Sequence, residues 1–562
     1  MTVPERRASI HIEVFLFLTM LVHGCGSPDT KRAQSESIPQ LHHAPITSTT
    51  APAAGTRLMD GMGKVDFPIT TSSKEAQAFF NQGVAQLYGF WFVQAEQSFS
   101  QAAKLDPRAA MAYWGIAMAA PANFLPTYQL VLAPNRLPPI APPNSPEARA
   151  RGAITQAQSL RESITPRERL YIDAIAARHN PQLQDPEAEY VSGMKTIVGS
   201  FPEDMEAKAI LGLALETGYE PSTKSAKQGT VESLKLLREV LSRNKDHLGA
   251  NHFLIHALEG SSHLRDAIPI ANRYAALAPN IPHVLHMPGH VYAQVGMFDE
   301  AVKAFLVSAA KEHEYMAADP HYPRLSYVHN EILLLHVLGS QGRYQDAVSH
   351  IGDLMSSKEQ DPSDREFLYR IGWFSLMKTL VRFEKWNEIL DGKTLPAYNQ
   401  PFETLWYYWA RGLAYASTSN AAGARDSLHS MEQLFQSLGF NPPPPQFQVA
   451  HSELEAYIDA TTGNLKKGLD GLSRAATAES LLPYTDPTVY PRPVLELLGR
   501  TALNARDFRT AEAAYRRALV NEPGSGRAFW GLAKALEGSG KKQEAEQMLA
   551  EFHRAWRGDD LK

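Results

Sequence analysis

Apolar positions along this chain recur at helical spacing, three to four residues apart, with polar residues between them. The pattern predicts amphipathic helices near residues 185–199, 203–217, 229–243, 344–355, 363–382, 400–418, 421–437, 446–462 and 464–479. No stretch alternates with a period of two over a strand's length, so no β-strand is predicted. Start signals sharpen the edges. Ser72 or Ser73, followed by Glu75, opens the first helix. Ser145 before Pro146 reads as a cap with proline in the first turn, and Thr165-Pro166-Arg167-Glu168 reads as a capping box. Two proline-rich runs interrupt the helices: a connector from Pro121 to Pro146, and a rigid break from Pro442 to Pro445.

A longer period overlies the helices. His252 and His286 are 34 residues apart, as are His256 and His290, Ala267 and Ala301, and Ile255 and Gly289. Gly83, Ala95, Phe99, Ala102 and Pro107 keep the same internal spacing near the start. Leu498, Gly499, Ala511, Tyr515, Ala518 and Pro523 keep it near the end, and Leu532, Ala545 and Leu549 continue it. A 12-residue insertion lengthens one interval to 46, so that Ala301 maps to Ala347, His290 to His336 and His283 to His329. Thirty-four residues is the period of the tetratricopeptide repeat, a pair of antiparallel helices. The chain resembles that family. The resemblance implies an all-α fold, a right-handed α-solenoid of tetratricopeptide-like helix-turn-helix repeats. It also implies that the first helix of each pair lines a concave groove and touches ligands.

The candidate chemistry sits on those first helices. Of the 20 histidines, seven fall between His247 and His290. His252, His256 and Glu259 follow i, i+4, i+7 spacing and share one helix face. His286 and His290 repeat the pair on the next first helix. Imidazole is a ligand for Zn, Cu and Fe, and four or five donors aimed at one point suffice for a closed site. The candidate metal set is therefore His252, His256, Glu259, His286 and His290, with His247, His283, His329 and His336 as further candidates. The other use of the same columns is a polar ligand groove. Pro288 lies between His286 and His290 and is expected to kink or restart that helix. His247 is placed at the end of a helix, His263 in a turn, and His313 and His321 in the insertion. Trp114, Tyr113 and Phe80 read as core, and Arg492, Arg500 and Arg506 as surface. Phe253 stands where a zinc protease of the H-E-x-x-H type carries glutamate, which excludes that motif.

Composition adds little to this picture. The chain has 562 residues, 44% of them hydrophobic, and a net charge of −5 from 60 acids and 55 bases. That length calls for several domains or one extended array. The absence of basic excess argues against a nucleic-acid partner. The N-terminus says more. Arg6 and Arg7 precede an apolar run from Val14 to Val22, and Leu21-Val22-His23-Gly24 precedes Cys25, the only cysteine. This resembles a bacterial lipoprotein signal, with Cys25 as the lipidation site and export to the cell envelope as the consequence. Gly26 after the cysteine favours the outer membrane. Membrane contact is expected only through this anchor.

Longer strings carry a second resemblance. FFNQGVAQLYGF, LDPRAAMAYWGIAMA, RERLYIDAIAAR, NHFLIHALEGS and YAALAPNIPHVLHMPGHVYAQVGMFDEA are similar to a family of secreted bacterial tetratricopeptide proteins without an assigned function. Phe90-Trp91-Phe92 departs from that family's usual wording. The resemblance implies fold and export and leaves the reaction open. The expected organisation is a signal peptide (1–24), a flexible tether (25–66), N-terminal repeats (67–125), a proline-rich connector and helical insertion (126–200), His-rich repeats (201–356), further helical repeats (357–485) and a C-terminal repeat pair (486–556). The leading functional expectation is an exported binding scaffold whose concave groove holds a protein, peptide or small molecule and carries a His-lined transition-metal or ligand site. The rival is a metal-dependent hydrolytic or oxidative enzyme, with Glu259 or Glu216 as ligand or base.

Overall fold

The computed structural model describes residues 56–120, 145–359, 362–488, 490–559 and 561. Among them are 24 α-helices, from α1 (Lys74–Tyr88) to α24 (Lys542–Ala555), and an isolated β-bridge between Tyr219 and Ala226. The helices pack as successive antiparallel pairs, each stacked on the next. The fold is an all-α solenoid. No helix of the described residues is long and apolar enough to cross a membrane. Cys25 and the connector at 121–144 lie outside the described residues.

The repeat spacing works through one recurrent contact, a glycine on a first helix facing an aromatic ring on a second. Phe99 of α2 (Phe92–Leu105) fills the space a Cβ would need at both Gly83 and Gly115. Phe305 does the same at Gly289, and Tyr515 at Gly499 and Gly531. These glycines let the helix axes approach closely, so the 34-residue period is a packing period. The caps hold as predicted. Ser73 accepts from the Ala76 N–H, and Ser145 from that of Ala148. Thr165 and Glu168 form the full capping box, and Glu168 also accepts from the Thr70 backbone.

Residues 56–66 correct the expectation of a tether reaching residue 66. Gln82 accepts from the Met59 N–H and donates to the Arg57 carbonyl, while Met62 is buried. A polar segment stays ordered here because its backbone groups find partners. Arg492, expected at the surface, is buried, with Nη1 against the Val381 carbonyl.

The apolar interior divides into two clusters. One runs from Met62 to Tyr322 and the other from Ala293 to Ala545. They meet along α11 (Pro282–Gln294), α12 (Phe298–Ala318) and α13 (Leu325–Ser340). The histidines occupy this seam. The C-terminal pairs fold back onto it: Gly524 abuts Gly296, and Arg557 pairs with Asp299. The interior is thereby closed: His252, His256, His286 and His290 are buried, and His283 and His329 half-buried, instead of lining an open groove. His252 is 0% exposed and His286 1%.

Candidate metal centre

Six imidazoles from three first helices form one contiguous cluster. α9 (Leu248–Leu258) supplies His252 and His256, α11 supplies His283, His286 and His290, and α13 supplies His329. The Nε2 atoms of His252 and His256 are 3.0 Å apart, and those of His286 and His290 are 2.7 Å apart. His283 bridges the pairs, its ring centroid 5.1 Å from His252 and 5.2 Å from His286. His329 lies 4.8 Å from His286 on the same measure. Three groups of donors are close enough to share an ion: His252, His256 and His283; His283, His286 and His329; and Glu259, His290 and Asp486.

Pro288 does not break α11, which is continuous from Pro282 to Gln294. The helix is held on both sides of the proline. Phe305 packs at Gly289, and Ser308 donates to the Pro282 carbonyl. Tertiary packing thus outweighs the loss of one backbone hydrogen bond, and the i, i+4 geometry of His286 and His290 survives.

The far ring nitrogens fix the tautomers. His252 Nδ1 lies 2.5 Å from the Tyr88 carbonyl, which can only accept, so that nitrogen carries hydrogen. His286 Nδ1 faces Asn330 Oδ1 at 2.9 Å, and Asn330 Nδ2 donates to the Phe305 carbonyl, which settles which way the amide points. His290 Nδ1 lies 2.7 Å from Asp486 and 3.2 Å from Glu259. His256 Nδ1 lies 3.1 Å from Glu259. In the His286–His290 pair, with hydrogen on both Nδ1 atoms, each Nε2 presents a bare lone pair to its partner's lone pair. Such opposed pairs repel unless positive charge, a proton or a metal ion, sits between them. Carboxylate and carbonyl groups behind the imidazoles are the usual support of a metal-binding histidine.

Burial reinforces this. It pushes His252, His283 and His286 well below the ordinary imidazole range, and His256 and His329 to about 3. Neutral imidazole is the ligating form. The Nε2 of His283 is buried without a hydrogen-bond partner. Behind the cluster, burial pushes Glu259 up to about 8. Burial also works to raise Asp486, but the charge and hydrogen bond of His290 outweigh it and hold that carboxyl below its usual range. Glu216 is fully buried, both its oxygens lack a partner, and burial raises it well above the carboxylate range, with Glu259 adding to the shift.

Two sequence candidates stand apart. His247 starts α9 instead of ending a helix. Its Nδ1 accepts from the Ala250 N–H, and Nε2 lies 3.3 Å from Glu206. An imidazole lone pair here does the work of an N-cap oxygen. His336 belongs to none of the three donor groups among the described residues. It lies two turns beyond His329 on α13 and lines an adjoining cavity of about 170 Å³. The member of the 46-residue mapping that reaches the cluster is His329.

Sequence reading missed three contributors. Asp486 comes from the loop between α20 (Leu465–Glu479) and α21 (Val494–Asn504), 196 residues from the histidine it touches. Asn330 follows His329 directly and was an unremarkable polar residue on a helix. Phe90 had a signal, since it departs from the family's wording. It follows α1 with φ +52°, where the equivalent turns after α11 and α13 carry Gly296 and Gly342. The chain accepts left-handed strain there, and the Phe90 ring covers His252 at 4.3 Å and His256 at 5.4 Å.

Residues 497–560 match the family described as Tetratricopeptide repeat. The match falls on the last two helix pairs, which close the interior over the histidine seam. No curated protein matches the chain. Similar solved structures include the human IFIT1 dimer with m7Gppp-AAAA, at 12% identity over 86% of this chain and 91% of that one, with a TM-score of 0.33. Another is the APC/C hetero-tetramer Cut9–Hcn1, at 11% identity over 85% and 73%, with a TM-score of 0.29.

Proposed function

We propose that this chain is a transition-metal protein, with metal held by the clustered imidazoles of α9, α11 and α13. The observation that carries the reading is the pair of opposed Nε2 atoms of His286 and His290, whose outer nitrogens are both committed as donors. Five of the imidazoles form two overlapping triads that share His283, and His290 stands with Glu259 and Asp486. An all-imidazole set suits Cu and Zn, and accepts Fe, over Mg, Ca or Mn. Glu259 and Asp486 then orient the rings from behind. A metal–nitrogen bond of about 2.0–2.1 Å in tetrahedral geometry separates ligand nitrogens by roughly 3.4 Å. Each pair would therefore open by a few tenths of an ångström on loading.

A second reading, metal-dependent catalysis, is favoured by the cavity that reaches His329 and Asp486. Glu216, buried near Glu259, is the carboxyl such a site would draw on as ligand or base, with burial raising it above the carboxylate range. The N-terminal signal and Cys25 support export and lipid anchoring of the whole.

Co(II) titration of the chelator-stripped, full-length protein tests the metal reading. Saturable binding with visible ligand-field bands, reduced in a His286→Ala, His290→Ala double variant, is the expected result. A featureless, non-saturating titration would remove the metal and leave a polar seam in a helical scaffold.

A further inference from the structure

The cavity beside the histidines has a chemistry of its own. It is bounded by α13, α15 (Pro362–Arg382), α17 (Pro401–Ser417) and the loop carrying Thr485 and Asp486. At about 170 Å³ it is close in size to engineered cavities of about 150 Å³ that accept benzene. Ile332, Leu335, Ile371 and Phe374 give it apolar walls.

Its polar groups are unbalanced. Glu403 is neutralised by Arg370 at 2.6 Å. Asp486 is taken by His290 at 2.7 Å and Gln294 at 2.8 Å. Arg382 is taken by Glu522 at 2.8 Å and Glu496 at 3.3 Å. Lys378 is left over. It lies one turn from Phe374 and one from Arg382, and no carboxylate of the described residues is within ion-pair reach of it. Burial, with the like charge of Arg382 adding to it, depresses the ammonium to about 8, and Nζ stands over the Phe374 ring, 5.7 Å from its centroid. Two further polar atoms of the lining, Trp406 Nε1 and Thr485 Oγ1, are buried without a partner. Buried donors without acceptors cost stability, and an enclosed cation without a counter-charge costs more. The cavity thus holds spare donors and an ammonium that no carboxylate of the described residues holds in an ion pair, while the carboxylates of its lining are engaged by Arg370 and by His290 and Gln294.

We infer that this cavity binds a small organic carboxylate with an apolar body the size of one aromatic ring, its charge on Lys378 and its body between Phe374 and the aliphatic wall. A ligand seated there lies against His329, and so beside the proposed metal ligands. Lys378 and Trp406 offer it the same contacts whether or not the imidazoles hold metal.

Calorimetric titration of full-length protein with benzoate tests this, in both chelator-stripped and Co(II)-treated samples. Saturable binding is expected in both. Benzyl alcohol, the uncharged analogue of similar size, should bind at least about tenfold more weakly, as should benzoate to Lys378→Met. Trp406→Phe should weaken benzoate by roughly threefold, and Lys378→Arg should retain binding. The benzyl alcohol comparison uses unaltered protein and stands if a variant fails to fold. Inorganic phosphate should compete poorly, since it lacks the apolar body. Absence of saturable benzoate binding, or equal binding of benzyl alcohol, would overturn the inference. So would full affinity in a folded Lys378→Met protein. Loss of the metal reading with benzoate binding intact would leave this inference standing.

Discussion

His283→Ala is expected to empty both histidine triads at once. His283 belongs to each of them, whereas His252 and His256 belong to one and His286 and His329 to the other. Its Nε2 has no hydrogen-bond partner, so its removal breaks no other polar contact of that atom. Loss of a supporting group behind a metal ligand typically costs 10–100-fold in affinity, and loss of a shared ligand should cost at least about 100-fold at both positions. Competition against a chromophoric chelator measures this. His252→Ala should weaken one class of sites and spare the other. His247→Ala and His336→Ala should leave metal affinity unchanged, because one caps a helix and the other faces the cavity. A His283→Ala protein that binds metal like the unaltered chain would mean that the ring only fills space.

The largest stability effect is expected at Arg382. This guanidinium, 7% exposed, joins α15 to the terminal repeats through Glu496 and Glu522 and also donates to Ser340. Glu522 is held below the usual carboxylate range: burial works against it, and the charges of Arg382 and His336 prevail. Arg382→Met keeps the volume and strands two buried carboxylates. Removing one partner of a buried pair costs about 3–5 kcal/mol. Chemical denaturation should show that loss first in the C-terminal pairs, which depend on this contact to stay folded over the histidine seam. An unchanged unfolding midpoint would show that the glutamates find other partners or protonate without penalty.

Much of the architecture could be read before any coordinates. The glycine–aromatic contacts at Gly83, Gly289 and Gly499 are local in sequence, so their spacing appears directly as the 34-residue period. Caps such as Thr165 with Glu168 are equally local. The histidine pairs were visible for the same reason, being one turn apart on a single helix. What stayed hidden depends on closure of the solenoid. Asp486 reaches His290 only because a distant loop folds inward, and no spacing rule links residues 196 apart. Burial of the imidazoles was hidden likewise: a concave face looks the same in sequence whether solvent or the next turn of the superhelix fills it. Pro288 misled because its local cost is certain while the packing that absorbs it, Phe305 on Gly289, lies outside the helix. His247 misled because an imidazole can replace the usual cap oxygen.

The central claim is that neutral imidazoles converge on metal inside this fold, and elemental analysis of the full-length protein as purified tests it most directly. The account predicts copper, zinc or iron at one or more ions per chain, retained through dialysis and lost in the His283→Ala protein. A folded chain that carries only trace metal, and takes up none when supplied with Cu(II) or Zn(II), would contradict it.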